Sequence, residues 1–543
     1  MKRSFPFHTR AAILLLLTSV LFVVAPAAAG KEPTPGGKNV ILFSEPFRQA
    51  AERFRHLHRK YESVESILVS VEEIDKAESV PSARPDFDGW AKRKPTKVKI
   101  KGYNFDLALK IISYLKRHNR KEPISSVLIL GTGGIVPPSY YFYVDYDPRD
   151  FLFGKYTKWI ASDIFYGSPD LDLKYDWGVG RIAAKTNEQA LRVAEKLIRW
   201  KKDGPEAFSD KTIYMGGNVT SDYRYLGEMY YLALQKARVF GNKPSFYMES
   251  DNKFASKQAL EVFAKESASL MWIFSHGAGD GFGFSDGPLW AKDILALPHK
   301  KGLPLVLSPS CLDAGFDYDL IDLPYDQDGL SVGEAILQSE GAGIGYLGGS
   351  RINITGAEFY FEGDLLRFDK SGDMPDLLLG FLVAYHAGKR RIGDAFKAAH
   401  TSYLKSNGVK GADELAMYVD FTLLGDPVLS LPPPPAFAER PFSGLTYLEP
   451  HTYDDDGVPV FSSGIKRVTM RPKSPGESEQ ITLRMIDTLK RKVLVRKAVL
   501  NSSGQYSFSP PGDSLYLIQA QSDAGRMVWQ YFWVGPSKPL ESL

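Results

Sequence analysis

Ser269-Leu-Met-Trp-Ile-Phe-Ser-His276-Gly-Ala-Gly-Asp-Gly281 and Leu303-Pro-Leu-Val-Leu-Ser-Pro-Ser-Cys311-Leu-Asp-Ala-Gly-Phe316 are the two stretches that decide the fold. Each contains a short, continuous apolar run, which predicts a buried strand of a mostly parallel sheet. Each predicted strand leads into a loop that carries a reactive side chain. Because functional groups lie just beyond the carboxyl ends of parallel strands, we expect His276 and Cys311 to emerge at one edge of the sheet.

Short apolar strands alternate with amphipathic helices over residues 39–432. The pattern predicts strands at 39–44, 67–71, 126–131, 212–216, 245–248 and 343–347, and helices at 104–118, 187–202, 225–236, 256–265 and 331–340. Strands separated by helices predict an α/β fold with doubly wound, mostly parallel sheets. We expect two side-by-side α/β subdomains, an N-terminal one over 39–205 and a second one over 206–432 that carries His276 and Cys311.

Residues 1–29 are typical of a secretory signal peptide. Basic residues flank an apolar run over 11–24, and Ala27-Ala28-Ala29 fits a cleavage site. The run is shorter than the roughly 20 residues of a transmembrane helix, so an uncleaved membrane anchor is the less favoured alternative. A linker over 30–38 follows. We therefore expect a secreted, periplasmic or cell-surface protein without a membrane span in the mature chain.

The C-terminal region has a different character. Leu431-Pro-Pro-Pro-Pro435 predicts a stiff polyproline linker and a domain boundary. Beyond it, short alternating segments are separated by turn clusters such as Asn501-Ser-Ser-Gly504. Residues 433–543 are therefore expected to form a β-sandwich.

Charge and cysteine content narrow the classes of function. The 543 residues include 67 Lys+Arg and 64 Asp+Glu, a net charge of only +3, with no basic stripe to favour nucleic acid. The chain has one cysteine, Cys311, so it forms no internal disulfide. A lone thiol in an exported protein is a liability unless chemistry needs it, although a buried, inert cysteine is the alternative.

A thiol nucleophile needs a base and donors for the developing oxyanion. His276 follows its strand directly and is the candidate general base and acid, with a structural histidine as the alternative. Glycine at position 277 leaves the backbone accessible, so the N–H groups of Gly277 and Cys311 are the candidate oxyanion hole. A serine nucleophile at Ser308 or Ser310 is the other possibility, but the G-x-S-x-G elbow is absent.

Several motifs together resemble those of one family. Phe274-Ser-His-Gly-Ala-Gly279 and Ser310-Cys-Leu-Asp-Ala-Gly-Phe316 resemble the His and Cys blocks of gingipain-like cysteine peptidases, relatives of the caspases. Further blocks follow in the family's order: Ser162-Asp-Ile-Phe-Tyr-Gly167, Asp176-Trp-Gly-Val-Gly-Arg-Ile182, Gly341-Ala-Gly-Ile-Gly-Tyr-Leu-Gly-Gly-Ser-Arg351 and Leu424-Gly-Asp-Pro-Val-Leu429. The resemblance covers roughly 39–432, and a trailing immunoglobulin-like domain is usual in that family.

The resemblance implies a cysteine-type endopeptidase acting on protein or peptide substrates. Cys311 would attack the peptide carbonyl, with His276 as base and acid. Family members place an acidic residue near the histidine, five residues before the Arg of the G-R block. That position is Asp176 here, preceding Arg181, and its carboxylate would orient the imidazole.

Five further residues are candidates for the substrate cleft. By their positions after strands, Phe316, Ser350 and Arg351 are expected to line it, and Arg351 at the rim would favour an acidic substrate side chain. Asp163 is a second-rank cleft residue, as is Asp280, and a solvated loop acid is the favoured state of both. No residue of the sequence identifies an acidic specificity pocket.

No cofactor is required by this chemistry, and Walker and zinc-ligand patterns are absent. Three acidic clusters have spacing suited to Ca²⁺: Asp145-Tyr-Asp147 with Asp150, Asp326-Gln-Asp-Gly329 and Asp454-Asp-Asp-Gly457. None fits an EF-hand loop, so solvated turns are the favoured interpretation. Related peptidases bind calcium, which keeps a structural ion as an alternative.

Two other functions remain open at this point. One is a catalytically silent binding or adhesion protein on the same scaffold. The other is a sortase-like transpeptidase of exported proteins, which would ligate an amine instead of using water.

Overall fold

The computed structural model describes the chain from residue 37 to 434 with gaps, and isolated strands beyond it. The described ranges are 37–81, 102–142, 159–217, 245–249, 254–321, 329–351, 353, 359–362, 365–368, 374–406, 409 and 412–434, with nine strands between 445 and 534. The predicted signal peptide, most of the linker over 30–38 and the predicted helix at 225–236 lie outside these ranges.

The strands up to residue 434 are short. They are β1 (Lys38–Phe43), β2 (Ser66–Ser70), β3 (Ile124–Leu130), β4 (Ser139–Phe142), β5 (Trp159–Ser162), β6 (Gly178–Ile182), β7 (Thr212–Gly216), β8 (Ser245–Met248), β9 (Leu270–Phe274), β10 (Gly281–Phe282), β11 (Leu289–Trp290), β12 (Leu305–Leu307), β13 (Gly345–Gly349), β14 (Phe359–Glu362), β15 (Leu365–Phe368) and β16 (Phe421–Leu424).

The helices alternate with these strands. They are α1 (Arg48–Leu57), α2 (Val71–Ala77), α3 (Phe105–Lys121), α4 (Ile164–Gly167), α5 (Asn187–Lys202), α6 (Ser256–Lys265), α7 (Ala291–Leu295), α8 (Val332–Gln338), α9 (Met374–His386), α10 (Ile392–Ser406) and α11 (Ala412–Asp420). Short 3-10 turns at Glu45–Phe47 and Pro205–Phe208 and a π-helical turn at His58–Glu62 complete the set. None of the helices in the described part of the chain has both the length and the hydropathy that a membrane crossing needs.

Ten strands form one sheet in the order β2-β1-β3-β6-β16-β13-β12-β9-β7-β8. Neighbours are parallel on both sides of its centre, and β16 is antiparallel to β13. The α/β class with a mostly parallel sheet is therefore confirmed. The strands of 39–205 and of 206–432 share this one sheet, because β16 joins β13 on one side and meets β6 through Leu424 and Arg181 on the other.

Local sequence explains why the strands next to the site are buried. All five residues of β9, Leu-Met-Trp-Ile-Phe, are buried, as are the three of β12. A strand covered on both faces by helices must be apolar at every position rather than at alternate ones. The site is thus mounted on rigid elements at the centre of the core.

Helix boundaries follow capping signals. Helix α5 begins with a capping box in which Thr186 accepts a hydrogen bond from the N–H of Gln189 and the Gln189 side chain accepts one from Thr186. Helix α8 begins in the same way with Ser331 and Glu334. These pairs satisfy N–H groups that a helix start otherwise leaves without partners.

The described C-terminal strands are β17 (Leu445–Thr446), β18 (Thr452–Tyr453), β19 (Pro459–Phe461), β20 (Lys466–Met470), β21 (Glu479–Asp487), β22 (Lys492–Leu500), β23 (Gln505–Phe508), β24 (Ser514–Ser522) and β25 (Met527–Val534). They form a three-stranded sheet, β17-β20-β23, and a six-stranded sheet, β18-β19-β25-β24-β21-β22. The all-β character agrees with the sequence pattern, and an immunoglobulin-like sandwich stays a prediction.

Candidate active site

The two strands that precede His276 and Cys311 are hydrogen-bonded neighbours. Strand β12 pairs in parallel with β9, and Leu307 lies opposite Trp272. The loops that follow them, the His loop (residues 275–283) and the Cys loop (residues 308–321), touch through their backbones. A Cβ atom on Gly277 would overlap the Cys311 carbonyl oxygen and would lie 2.9 Å from the Cys311 nitrogen. The structure therefore brings both loops to one place.

His276 is exposed at the start of the His loop. Its carbonyl oxygen accepts a hydrogen bond of 2.7 Å from the N–H of Gly283, which folds the loop back on itself. Neighbouring protein atoms partly desolvate the ring and lower the pKa of His276. The imidazole is therefore neutral at pH 7, the form that a general base requires.

Cys311 is half-buried, and its thiol faces the main chain of Asn353. The N–H of Asn353 lies 3.4 Å from Sγ, and the thiol donates to the Asn353 carbonyl oxygen at 3.6 Å. Burial raises the pKa of Cys311 to about 12. The thiol is thus neutral here, and no hydrogen bond joins it to the His276 ring.

The residue after the nucleophile has an unusual backbone. Leu312 has φ of 62°, in the left-handed region that bulky residues rarely occupy. Two hydrogen bonds hold it there: its N–H donates to the Arg351 carbonyl oxygen at 2.6 Å, and the Tyr318 hydroxyl donates to its carbonyl oxygen at 2.5 Å. Strain of this kind persists only where the surroundings enforce it, and here it turns the chain sharply beside Cys311.

The backbone of the His loop leaves one donor unused. Gly277 pairs with Phe282 in an isolated antiparallel bridge, but the hydrogen bonds are made by Ala278 and Gly283. Among the described residues, the N–H groups of Gly277 and Cys311 have no acceptor. An oxyanion hole requires unpaired backbone N–H groups, and the hole expected at these two residues stays a prediction.

Comparisons with known proteins identify the family of the chain. The sequence pattern of Peptidase family C25 matches residues 32–432. The chain belongs to peptidase family C25. An uncharacterized protein of Archaeoglobus fulgidus is 30% identical over 400 residues, 69% of this chain and 90% of that protein. The proposed resemblance to gingipain-like cysteine peptidases is thereby confirmed.

Solved structures show the same fold. A structure described as a protease has a TM-score of 0.52 at 12% identity and covers 92% of this chain and 98% of its own. The Arg-specific cysteine proteinase gingipain R (RgpB) has a TM-score of 0.50 at 14% identity, covering 93% and 99%. At such identities the likeness shows the fold alone.

Asp163, expected at the cleft of this C25 chain as a solvated acid, is instead paired. Its carboxylate accepts two hydrogen bonds from the buried guanidinium of Arg181, at 2.7 and 2.6 Å. Phe316 is fully buried, and its ring lies 4.5 Å beneath the same guanidinium. In this structure both side chains contact the buried guanidinium of Arg181 and do not face an open groove.

Ser350 and Arg351 are also buried. The Arg351 guanidinium pairs with Asp317 at 2.5 Å, so the expectation that it lies free at the rim is wrong. Ser350 donates to the Asp420 carboxylate at 2.8 Å. Asp280 is likewise buried rather than solvated. Burial explains these differences, because the strand ends here are covered by the Cys loop.

Asp176 is exposed, and no hydrogen bond joins it to His276. Its carbonyl oxygen accepts a hydrogen bond from the side-chain nitrogen of Lys397, and its N–H donates to the carbonyl oxygen of Gly167. Partial burial, with Asp170 and Asp172 nearby, raises the pKa of its carboxyl group. The structure thus provides no contact through which Asp176 would orient the imidazole.

The alternative serine nucleophiles are occupied. Ser308 and Ser310 are buried, and the Ser308 hydroxyl donates to that of Ser310 at 2.8 Å. Neither hydroxyl is presented to solvent. Cys311 is the least buried of the three side chains, and a thiol is the stronger nucleophile.

Sequence reasoning missed a buried polar cluster behind Cys311. Its members are Asp313, Asp317, Tyr346, Asn353 and Asp420. The Tyr346 hydroxyl donates a hydrogen bond to the carboxyl group of Asp313. Burial raises the pKa of Asp313 well above its usual range. The acidic run after Cys311 was visible in the sequence, but the spacing gave no sign that Asn353 and Asp420 would join it.

The described residues contain no group of three or more His, Cys, Asp or Glu that could hold a metal ion. The acidic clusters at 145–150 and 454–457 lie outside the described residues, as do the acids at 326 and 328. A structural Ca²⁺ at any of them stays a prediction.

Proposed function

We propose that this C25 family member is an exported cysteine endopeptidase in which Cys311 is the nucleophile and His276 the general base and acid. The observation that carries the proposal is the backbone contact between the His loop and the Cys loop at Gly277 and Cys311. The family match and the single cysteine of the chain support it.

In the proposed reaction, the imidazole of His276 accepts the thiol proton as Sγ forms a bond to the peptide carbonyl carbon. The carbonyl electron pair moves to oxygen, where the N–H groups of Gly277 and Cys311 donate to it. Collapse of this intermediate breaks the C–N bond, and the imidazolium gives its proton to the leaving amine. Water, deprotonated by the same imidazole, then hydrolyses the thioester and restores the thiol.

The neutral thiol and neutral imidazole of the substrate-free site favour proton transfer during attack over a preformed ion pair. Burial disfavours the thiolate, and it also disfavours the imidazolium. Bound substrate must therefore bring the imidazole of His276 up to Sγ. The side chain of His276 is exposed and free to make this approach.

The test uses the full chain and its Cys311→Ala and His276→Ala variants with a denatured protein as substrate. Both variants should lose hydrolysis by at least about 10³-fold, because nucleophile and base act as one unit. Iodoacetamide labelling should disappear only in Cys311→Ala. His118→Ala, which alters a partly exposed histidine on α3, should retain activity. Hydrolysis by Cys311→Ala at the wild-type rate would exclude the mechanism.

The same assay separates the other two functions. Amine-dependent ligation of the acyl fragment would identify a transpeptidase. Absence of turnover across a diverse peptide library, with binding of a surface partner, would identify a silent scaffold. Export is proposed from residues 1–29, and cell fractionation with N-terminal sequencing of the mature chain tests it.

A further inference from the structure

One residue at the end of a neighbouring strand holds the Cys311 thiol. Asn353 follows β13 and contacts Sγ through both its N–H and its carbonyl oxygen. Its side-chain amide donates to the Pro309 carbonyl oxygen at 3.2 Å and also to that of Ser310. Asn353 therefore contacts the nucleophile in two places. Its main chain contacts the sulfur, and its side chain bonds to the backbone just before Cys311.

The other polar atom of the Asn353 side chain, Oδ1, lacks a hydrogen-bond donor and lies close to a carboxyl oxygen of Asp420. Asn353 Oδ1 and Asp420 Oδ2 are buried acceptors, and neither has a donor among the described residues. Both lie in contact with the position that a Cβ of Gly349 would occupy, so the two oxygens face one small space. Two adjacent bare acceptors are costly to bury, and a proton on Asp420 would satisfy both.

The rest of the Asp420 carboxyl group is already bonded. Oδ1 accepts from the Ser350 hydroxyl at 2.8 Å and from the Arg351 N–H at 2.9 Å. The charged groups that face it are the Arg351 guanidinium from the end of β13 and the Asp313 carboxyl from the Cys loop. Burial dominates and raises the pKa of Asp420 to about 7, so the protonated form is well populated near neutrality.

We propose that Asn353 is a positioning residue for Cys311 and that Asp420 holds Asn353 in place through a proton shared between their side-chain oxygens. The inference deepens the proposed function, because it concerns the same nucleophile. Its first readout, the reactivity of the thiol, does not require peptidase activity.

The test measures iodoacetamide alkylation of Cys311 from pH 6 to 10 in the full chain, with circular dichroism to confirm folding at each pH. Asn353→Ala removes the side-chain hydrogen bonds to Pro309 and Ser310 that hold the main chain of residue 353 against Sγ. The main-chain contacts with the thiol then loosen, the thiol becomes hydrated, and its pKa falls towards the ordinary value. We expect alkylation at pH 7.5 to rise at least about tenfold, one pKa unit being a factor of ten in thiolate. The kcat for peptide hydrolysis should fall about tenfold with KM nearly unchanged.

Two Asp420 variants distinguish the effect of the Asp420 proton from the effect of side-chain packing. The amide of Asp420→Asn can donate to Asn353 Oδ1 at any pH, so this variant should match the wild type at pH 6. It should also lack the rise in alkylation that ionisation of Asp420 produces above pH 7. Asp420→Leu offers no donor and should behave as Asn353→Ala does.

Asn104→Ala is the matched control, because it removes an asparagine hydrogen bond at the start of α3, away from the site. It should leave the alkylation profile unchanged. An Asn353→Ala profile that superimposes on the wild type would overturn the proposal, as would Asp420→Asn behaving like Asp420→Leu. If Asn353→Ala does not fold, the two Asp420 variants decide. Absence of peptide turnover in the wild type would count against the proposed function alone, since the alkylation results stand without it.

Discussion

At the scale of single residues, Gly277 decides how closely the His loop and the Cys loop approach. A Cβ atom at this position would overlap the Cys311 carbonyl oxygen, which belongs to rigid backbone and cannot move aside cheaply. The glycine is needed for this close approach rather than for an unusual φ.

Gly277→Ala should therefore reduce kcat by about 10²-fold, because a displacement near 1 Å at a reacting group costs about that much. Steady-state kinetics on a peptide substrate measure the effect. Gly380→Ala in α9, where the nearest heavy atom lies 3.3 Å from the new Cβ, is the control and should retain activity. Equal activity of the two variants would show that the loops do not meet as described.

The charge state of His276 sets the acid limb of the pH profile. The histidine must be neutral to accept the thiol proton, and partial burial lowers its pKa below the ordinary value of about 6.5. Activity is therefore lost as pH falls through this lowered value, so the midpoint of the acid limb of kcat/KM should lie below 6.5. A midpoint of the acid limb at or above 6.5 would contradict the account.

The meeting of the loops that carry His276 and Cys311 was predictable from the sequence, because each loop follows a short apolar strand of a parallel sheet. Asn353 and Asp420 were not, since their contacts with Cys311 and with each other depend on the packing of distant segments. The expected groove residues Phe316 and Arg351 show the same limit. Their positions after strands were correct, but only the packed structure shows which side chains turn inward.

At the scale of elements, Lys196 links helix α5 to the end of α8. The side chain is buried, and its ammonium donates to the carbonyl oxygens of Ser339 at 2.8 Å and Gly343 at 2.7 Å, and also to that of Leu337. These carbonyls end α8 and lead into β13, the strand before Asn353. A cation at a helix C-terminus also complements the helix dipole.

Lys196→Met should lower the free energy of unfolding by about 1–3 kcal/mol, because it leaves buried carbonyl groups without donors. Urea denaturation followed by fluorescence measures this change. Lys202→Met on the exposed side of the same helix is the matched control. A stability equal to that of the control would show that the carbonyls do not depend on Lys196.

Elements with local signals were predicted closely. Helix α5 was expected at 187–202 and is observed there, since a capping box begins it and its apolar face is periodic. Strand β16 was not predicted, because Phe-Thr-Leu-Leu is only four residues long and follows a helix directly. Its place in the sheet depends on pairing with β13, which lies far away in the sequence.

At the scale of the whole molecule, a buried pair joins the segment that follows β16 to the N-terminal subdomain. His58 Nε2 lies 2.8 Å from Asp426 Oδ2, and both side chains are fully buried. His58 Nδ1 lies 2.8 Å from the Ser66 hydroxyl at the start of β2. The segment after β16 is thus fastened to the N-terminal part of the same sheet.

Asp426→Ala should destabilise the protein by about 1–3 kcal/mol, because it leaves the buried Nε2 of His58 without its hydrogen-bond partner. Thermal unfolding should show a clearly lower Tm. Asp170→Ala breaks the exposed pair with Lys116 and should change stability by less than about 1 kcal/mol. Equal Tm values for the two variants would refute the link.

The two expected subdomains form one scaffold, because their strands belong to a single ten-stranded sheet. Strands from 39–205 and from 206–432 were predicted, but their union through β16 depends on a long-range return of the chain. The segment after β16 is also less independent than a polyproline linker suggests. The Leu431 N–H donates to the carbonyl oxygen of Arg390 at 2.9 Å, and the Tyr385 hydroxyl donates to the carbonyl oxygen of Pro432 at 2.7 Å.

The most direct test of the account is to locate the acyl group in a reaction stopped before hydrolysis. The full chain is mixed with an activated peptide ester, quenched in acid within milliseconds and analysed by peptide mass mapping. The account predicts a thioester on Cys311 in the wild type, formed at least about 10²-fold more slowly in His276→Ala. An acyl group on any other residue, or acylation of His276→Ala at the wild-type rate, would contradict it.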